Sequence, residues 1–181
     1  MIQKAKINVI DLDKTLIAYD SFRGLIIQEL KTFNSYIIYI TTLRVLRLIS
    51  GTKYKRRTSL YFEKKYNENY FIEYANKLYK DIDQRVLDKI KLDTDDETIN
   101  ILLTASPNFF AKHLIKKLKW SGSGSYFDNK DNYIHLYGEE KIKWLDHKFN
   151  PYKFDYNFAI SDSSSDDKLL SLFKRKVKWK I

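Results

Sequence analysis

Three apolar runs in this chain end in residues that can do chemistry. KINVID (6–11), TINILLT (98–104) and YNFAIS (156–161) are mostly apolar and bounded by polar residues. Such runs are read as strands covered on both faces, as parallel strands are. A fourth segment, KVKWKI (176–181), alternates, with Val177, Trp179 and Ile181 on one side and Lys176, Lys178 and Lys180 on the other. That is the pattern of an edge strand with one wet face, its lysines discouraging further pairing.

Helical periodicity fills the spaces between. SPNFFAKHLIKKLKW offers Ser106 as an N-cap, Pro107 at the first helical position, and Phe110, Leu114 and Leu118 at helical spacing. GEEKIKWLDHKF places Ile142, Leu145 and Phe149 on one face, and SSSDDKLLSLFKR carries Leu169, Leu170 and Phe173 behind a serine cluster. Strands alternating with helices predict an α/β fold around a parallel sheet. Residues 18–95 break the alternation. They are helix-rich and aromatic and lack a clear strand, so they are read as a separate helical lobe inserted between the first two strands. SGSGS (121–125) is read as a flexible loop. The following YFDNKDNYIHLY is read as a hairpin, because Asp-Asn-Lys-Asp-Asn lies between aromatic and β-branched residues.

In an open parallel sheet, ligands bind at the carboxyl ends of the strands. There the first strand ends in Asp11, with Asp13 just beyond; the second ends in Thr104; the third is followed by Asp162. Three close carboxylates repel one another unless a hard cation neutralises them, and magnesium takes oxygen ligands it readily shares with a phosphate. The helix start after Thr104 offers free N–H groups to an anion, and Lys141 can supply a counter-charge. The converging ends therefore predict a site for a phosphate and magnesium. The absence of cysteine excludes a disulfide framework, a thiolate zinc site and a cysteine nucleophile, and fits a cytoplasmic protein.

The quartet DLDKT (11–15), LLTAS (102–106), GEEK (138–141) and SDSSSD (161–166) resembles, in order and in strand context, the four motifs of the haloacid dehalogenase superfamily. The helical insertion after the first motif resembles the type-one cap of its phosphoserine-phosphatase-like branch. The resemblance spans nearly the whole chain and implies a Rossmann-like core (1–17 and 96–181) with an inserted cap (18–95). It implies that Asp11 attacks phosphorus to form an aspartyl-phosphate, while Asp13 acts as acid and then base. It implies that the Asp11 side chain, the Asp13 backbone carbonyl and Asp162 hold Mg2+, and that Thr104 and the N–H of Ala105 bind the phosphoryl group. Lys141 would stabilise the developing charge, Asp166 would support the metal's waters or orient Lys141, and Thr15 would support the loop. Asp13 also sorts the chemistry. The superfamily's haloalkanoate dehalogenases lack an acid there, so the resemblance implies phosphomonoester hydrolysis, with phosphate migration as the alternative.

Two departures stand out. Ser161 occupies a place usually held by Gly, and TASP replaces the Ser-Gly-Gly of many phosphoserine phosphatases. Asp20 lies where those enzymes place an acid that reads the substrate's amino group, and a helix cap is an equal reading. The expected substrate is a small phosphorylated metabolite, with a phosphorylated amino alcohol or amino acid first, a phosphorylated sugar or polysaccharide precursor next, and a lipid phosphate third, on the strength of the apolar stretch 36–50.

The net charge of +10 arises from basic residues scattered along a chain with few glycines and prolines, which fits compositional bias better than a nucleic-acid-binding tail. A basic nucleic-acid-binding or membrane-peripheral protein that keeps the fold without catalysis is the rival reading. The N-terminal MIQKAKINVIDLD is not read as a signal peptide, its apolar run being short and ending in acids. YIIYITTLRVLRLIS (36–50) is too short to span a bilayer and is expected to be an ordinary packed helix, with a membrane-facing helix as the minority reading. Lys53, Arg56 and Arg57 share a helical face expected to be solvated. His113, His135 and His147 fit no ligand spacing and are expected to be structural. Oligomeric state is not legible.

Overall fold

The structure, a computed structural model, describes residues 4–180. The first strand, β1 (Ala5–Ile10), is followed by five helices: α1 (Ser21–Lys31), α2 (Ser35–Val45), α3 (Gly51–Lys65), α4 (Glu68–Lys80) and α5 (Gln84–Lys91). Then come β2 (Thr98–Pro107), α6 (Asn108–Leu118), β3 (Ser121–Phe127), β4 (Tyr133–Ile134), α7 (Glu139–Lys148) and β5 (Phe154–Ser161). A 3-10 turn (Ser164–Asp166), the short helix α8 (Asp167–Leu170) and β6 (Arg175–Lys178) follow. The sheet runs β4-β3-β2-β1-β5-β6, parallel throughout except for the antiparallel β3–β4 pair. This is the parallel α/β architecture expected from the alternation, and the Rossmann-like core that the resemblance implies.

Helices cover both faces of the sheet. One face carries Ile10, Leu102, Phe158 and Ile160, packed with α6 and with Phe22, Leu25, Phe62 and Phe71 of the insertion. The other carries Ile7, Val9, Ile101, Leu103 and Ala159 under Leu145, Leu169, Leu170 and Phe173. The helical insertion thus shares one continuous core with the sheet and is less separate than its sequence suggests. Val177 and Trp179 pack on that core at the β6 edge; Ile181 lies outside the described residues.

Three local expectations are corrected. SGSGS is not a loop: it forms most of β3 and pairs in parallel with β2, Gly122 opposite Leu102. Its composition reflects closeness. A Cβ at Gly122 would lie 2.0 Å from the Leu102 carbonyl oxygen, and one at Gly124 would lie 2.4 Å from that of Ser106. Ser106 is not a cap. β2 continues through it and α6 begins at Asn108, so the Ser106 side chain turns toward the site instead. The helix expected over SSSDDKLLSLFKR is one 3-10 turn and four α-helical residues, because the chain must turn back quickly into β6. The hairpin after β3 is present, with Tyr126 opposite Ile134 and the Asp128 carboxylate accepting from the N–H groups of Lys130 and Asn132.

Candidate active site

The chain runs outward from β1 to β2 and β3, then returns to place β5 on the other side of β1. This reversal puts the carboxyl ends of β1 and β5 side by side, where open α/β sheets form their crevice. Ile10 pairs with both Leu102 and Ile160, so the three central strands end in register. The Asp11 N–H donates to the Ile160 carbonyl at 3.0 Å, fixing the first residue beyond the strand.

A cleft of about 270 Å³ opens at these ends. Its lining includes five carboxylates (Asp11, Asp13, Asp20, Asp162, Asp166) and three lysines (Lys14, Lys55, Lys141), joined by Ala105, Tyr137, Ser163 and Ser165. Thr104 is fully buried just behind Ala105, and its Oγ1 accepts from the Ser106 N–H at 3.1 Å.

Lys141 is the hub of the buried charges. Its Nζ donates to Asp11 Oδ1 at 2.8 Å and to Asp166 Oδ2 at 2.7 Å, and all three groups are at least nine-tenths buried. Burial pushes the Asp11 carboxyl up to about 7, with Lys141 pulling the other way. Burial also opposes the charge on Lys141, but Asp11 and Asp166 outweigh it and raise its pKa. The proton therefore stays on the lysine. Ser161 donates to the same Asp166 oxygen at 2.7 Å and accepts from the Ser163 N–H. The serine that replaces the usual glycine thus orients a carboxylate.

Thr15 joins the two strand ends. Its hydroxyl accepts from the Asp162 N–H at 2.9 Å and lies 3.4 Å from Asp11 Oδ2 and 3.5 Å from Asp162 Oδ1. Asp11 Oδ2 and Asp162 Oδ1 therefore share one side of the cleft while Asp11 Oδ1 faces Lys141. No three carboxylate or imidazole side chains among the described residues converge on a single point. A cation here would take two side-chain oxygens, a backbone carbonyl, and water or substrate. Magnesium tolerates such a partly hydrated set, and the surplus of carboxylates over lysines suits it.

Asp13 is held differently. The Ser21 N–H donates to its Oδ1 at 2.7 Å and the Ser106 hydroxyl to its Oδ2 at 2.6 Å. Ser106 Oγ also lies 2.9 Å from Ser21 Oγ. Burial, then the neighbouring Asp20 charge, raises the Asp13 pKa, with the Ser106 and Ser21 bonds opposing. Asp20 caps α1, its Oδ1 accepting from the Arg23 N–H at 2.8 Å, yet it still borders the cleft.

Several of these residues escaped the sequence reading. Lys55, on α3, is the basic residue of the insertion that reaches the cleft, while Lys53 and Arg56 are exposed. Its Nζ donates to His135 Nε2 at 3.0 Å. Burial, then Lys55, lowers the His135 pKa to about 4, so the imidazole is neutral and accepts. No sequence signal selects position 55 over 53, 56 or 57; only the docking of α3 does. Ser125, inside the misread SGSGS, donates to the Ala105 carbonyl at 2.8 Å and accepts from the Leu136 N–H, steadying the loop beyond β2.

Fold and site together define an acidic crevice at the carboxyl ends of a parallel sheet, built around a buried lysine. The chain belongs to the haloacid dehalogenase-like hydrolase family, whose model matches residues 9–171. A search of curated protein sequences found no significant match. Among solved structures, a protein of unknown function from Bordetella pertussis Tohama I is similar at TM-score 0.70 and 13% identity, over 96% of this chain and 89% of that one. A HAD family hydrolase from Salmonella enterica subsp. enterica serovar Typhi gives TM-score 0.59 at 13% identity, over 97% and 68% of the two chains. A phosphoserine phosphatase in a phospho-aspartyl intermediate analogue form gives TM-score 0.54 at 13% identity, over 98% and 95%. At such identities these likenesses speak to the fold.

Proposed function

We propose that this chain is a magnesium-dependent phosphomonoester hydrolase working through an aspartyl-phosphate on Asp11. The observation that carries the reading is the division of labour between two acids two residues apart. Asp11 is paired with a buried ammonium and turned toward Asp162, whereas Asp13 is gripped by two donors away from that pair. One carboxylate is set up as a nucleophile and the other as a proton carrier.

The Asp11 carboxylate attacks phosphorus while Lys141, bonded to it, offsets the charge gathering at the phosphoryl oxygens. The Ala105 N–H and the Thr104 hydroxyl receive those oxygens. Asp13 protonates the departing oxygen, then takes a proton from the water that hydrolyses the acyl phosphate, as its raised pKa favours. Asp11, Asp162 and the Asp13 carbonyl would hold the magnesium, which when bound neutralises phosphate charge. Asp166 and Ser161 keep Lys141 aimed at Asp11.

Residues 18–95 act as the cap that selects the substrate. Asp20 and Lys55 border the cleft with opposite charges. Such a pair suits a zwitterionic leaving group, an ammonium toward Asp20 and an anion toward Lys55, which supports a phosphorylated amino acid or amino alcohol. The similar structure of a phosphoserine phosphatase agrees with this class. A phosphorylated sugar is the second choice, since the cleft lining is more polar than aromatic.

The test is hydrolysis of p-nitrophenyl phosphate with magnesium, with EDTA, and by Asp11→Asn. Turnover is expected only in the intact protein with metal; activity surviving both chelator and substitution refutes the reading. A panel of phosphorylated metabolites then assays substrate class. Lys55→Gln is expected to raise KM for an amino acid phosphate more than for an alkyl phosphate.

A further inference from the structure

The helix α2 and the turn after it do not behave like an ordinary packed helix. Only Ile37 and Ile40 of α2 are buried. Tyr36, Ile38 and Tyr39 project outward, and beyond them Val45, Leu46 and Leu48 are 74%, 61% and 67% exposed. Phe33, just before the helix, is 84% exposed. Isolated exposed apolar side chains are common, but a run of them on one element marks a surface that something covers.

Charge points to the occupant. Between Leu30 and Phe62 there is no acidic residue, while Lys31, Arg44, Arg47, Lys53 and Arg56 are all exposed. A second copy of the same face would meet these cations with cations, so self-association is opposed. An anionic bilayer meets them with phosphates. It also accepts protruding Leu, Val and Phe side chains without needing a matched socket, while Tyr rings settle at the headgroup level and Arg stems reach up to it. No helix among the described residues is long and apolar enough to cross a membrane. With eleven residues, α2 spans only about half a hydrocarbon core. Its geometry is that of a helix lying on the surface.

We propose that the face formed by Phe33, α2 and the Val45–Leu48 turn docks this protein onto an anionic lipid bilayer. The docking is peripheral and reversible, combining shallow insertion of the apolar turn with attraction between Arg44, Arg47 and lipid phosphates. The turn leads directly into α3, and Lys55 lies about 6 Å along that helix from Gly51, so docking brings the cleft near the headgroup layer.

Vesicle co-sedimentation tests it. The full chain is mixed with phosphatidylcholine vesicles, with or without phosphatidylglycerol, at low and high salt. Binding is expected to the phosphatidylglycerol vesicles, weakened by salt. Val45→Ser/Leu46→Ser/Leu48→Ser and, separately, Arg44→Gln/Arg47→Gln are each expected to reduce it by about tenfold or more. Circular dichroism reports folding, and p-nitrophenyl phosphate turnover is expected to stay at the wild-type level in both variants. Absence of binding, wild-type binding by both variants, or a wild-type dimer that the triple serine variant dissolves would each overturn the proposal.

Discussion

Ser106→Ala asks whether Asp13 is a proton carrier or merely a buried acid. The change removes a hydroxyl that donates to Asp13 Oδ2 at 2.6 Å and lies 2.9 Å from Ser21 Oγ. Ser106 is 3% exposed, so water cannot readily replace it. A hydrogen bond to a charged group contributes about 1.5–3 kcal/mol, equivalent to about tenfold to 150-fold in rate if it is needed only at the transition state. The loss should depend on the leaving group. An alkyl alkoxide needs a proton as the P–O bond breaks, whereas p-nitrophenolate departs with little help. Steady-state kinetics on p-nitrophenyl phosphate and on an alkyl phosphate, with wild type and Ser106→Ala, give the comparison. The full loss is expected on the alkyl phosphate and only a few-fold loss on the aryl one. Equal losses on both would mean that Ser106 only packs the loop, and the acid–base role of Asp13 would lose its support.

Other perturbations probe the framework. Lys141→Met leaves Asp11 and Asp166 facing each other without their shared cation, and urea unfolding should report a loss of about 3–5 kcal/mol, partly restored by adding Asp166→Asn. Gly122→Ala forces a methyl into the Leu102 backbone at a φ of 143°, so a loss above about 3 kcal/mol is expected by the same method. His135 has a folded pKa lowered from 6.5 to about 4, so the unfolded state takes up a proton first as pH falls. Its contribution is complete above about 6.5 and is lost toward 4; half-burial trims it to about 1–2 kcal/mol, and His135→Asn should flatten that part of the stability profile.

The acids at the strand ends were legible because strand and chemistry reinforce each other. An apolar run predicts its own covered strand, and the residue after it must then stand at the sheet's rim, so the sequence alone places Asp11 and Asp162 there. Lys141 was legible through its motif. The insertion was legible as helical but not in its facing: the sequence groups Lys53, Arg56 and Arg57 on one face, and Lys55 is the residue that reaches the cleft. A helix shows which residues share a face, while only packing decides which face meets the site. Ser106 misled for a related reason. A serine before a proline is a good cap by local chemistry, but pairing with β3 carried β2 past it and turned its hydroxyl inward. The same pairing hid behind SGSGS, where propensity indicates a linker and the close approach of two backbones requires small residues.

That concealed strand has a practical consequence. To anyone planning a fusion, a tag or a circular permutation, residues 121–125 look like the safest place to open the chain. They are among the worst, because a break there unpairs β3 from β2 and releases the Ala105 carbonyl that Ser125 holds, loosening the loop that faces the cleft. The turn from Asp128 to Asn132, outside the parallel ladder and exposed at its tip, is where an insertion should be tolerated.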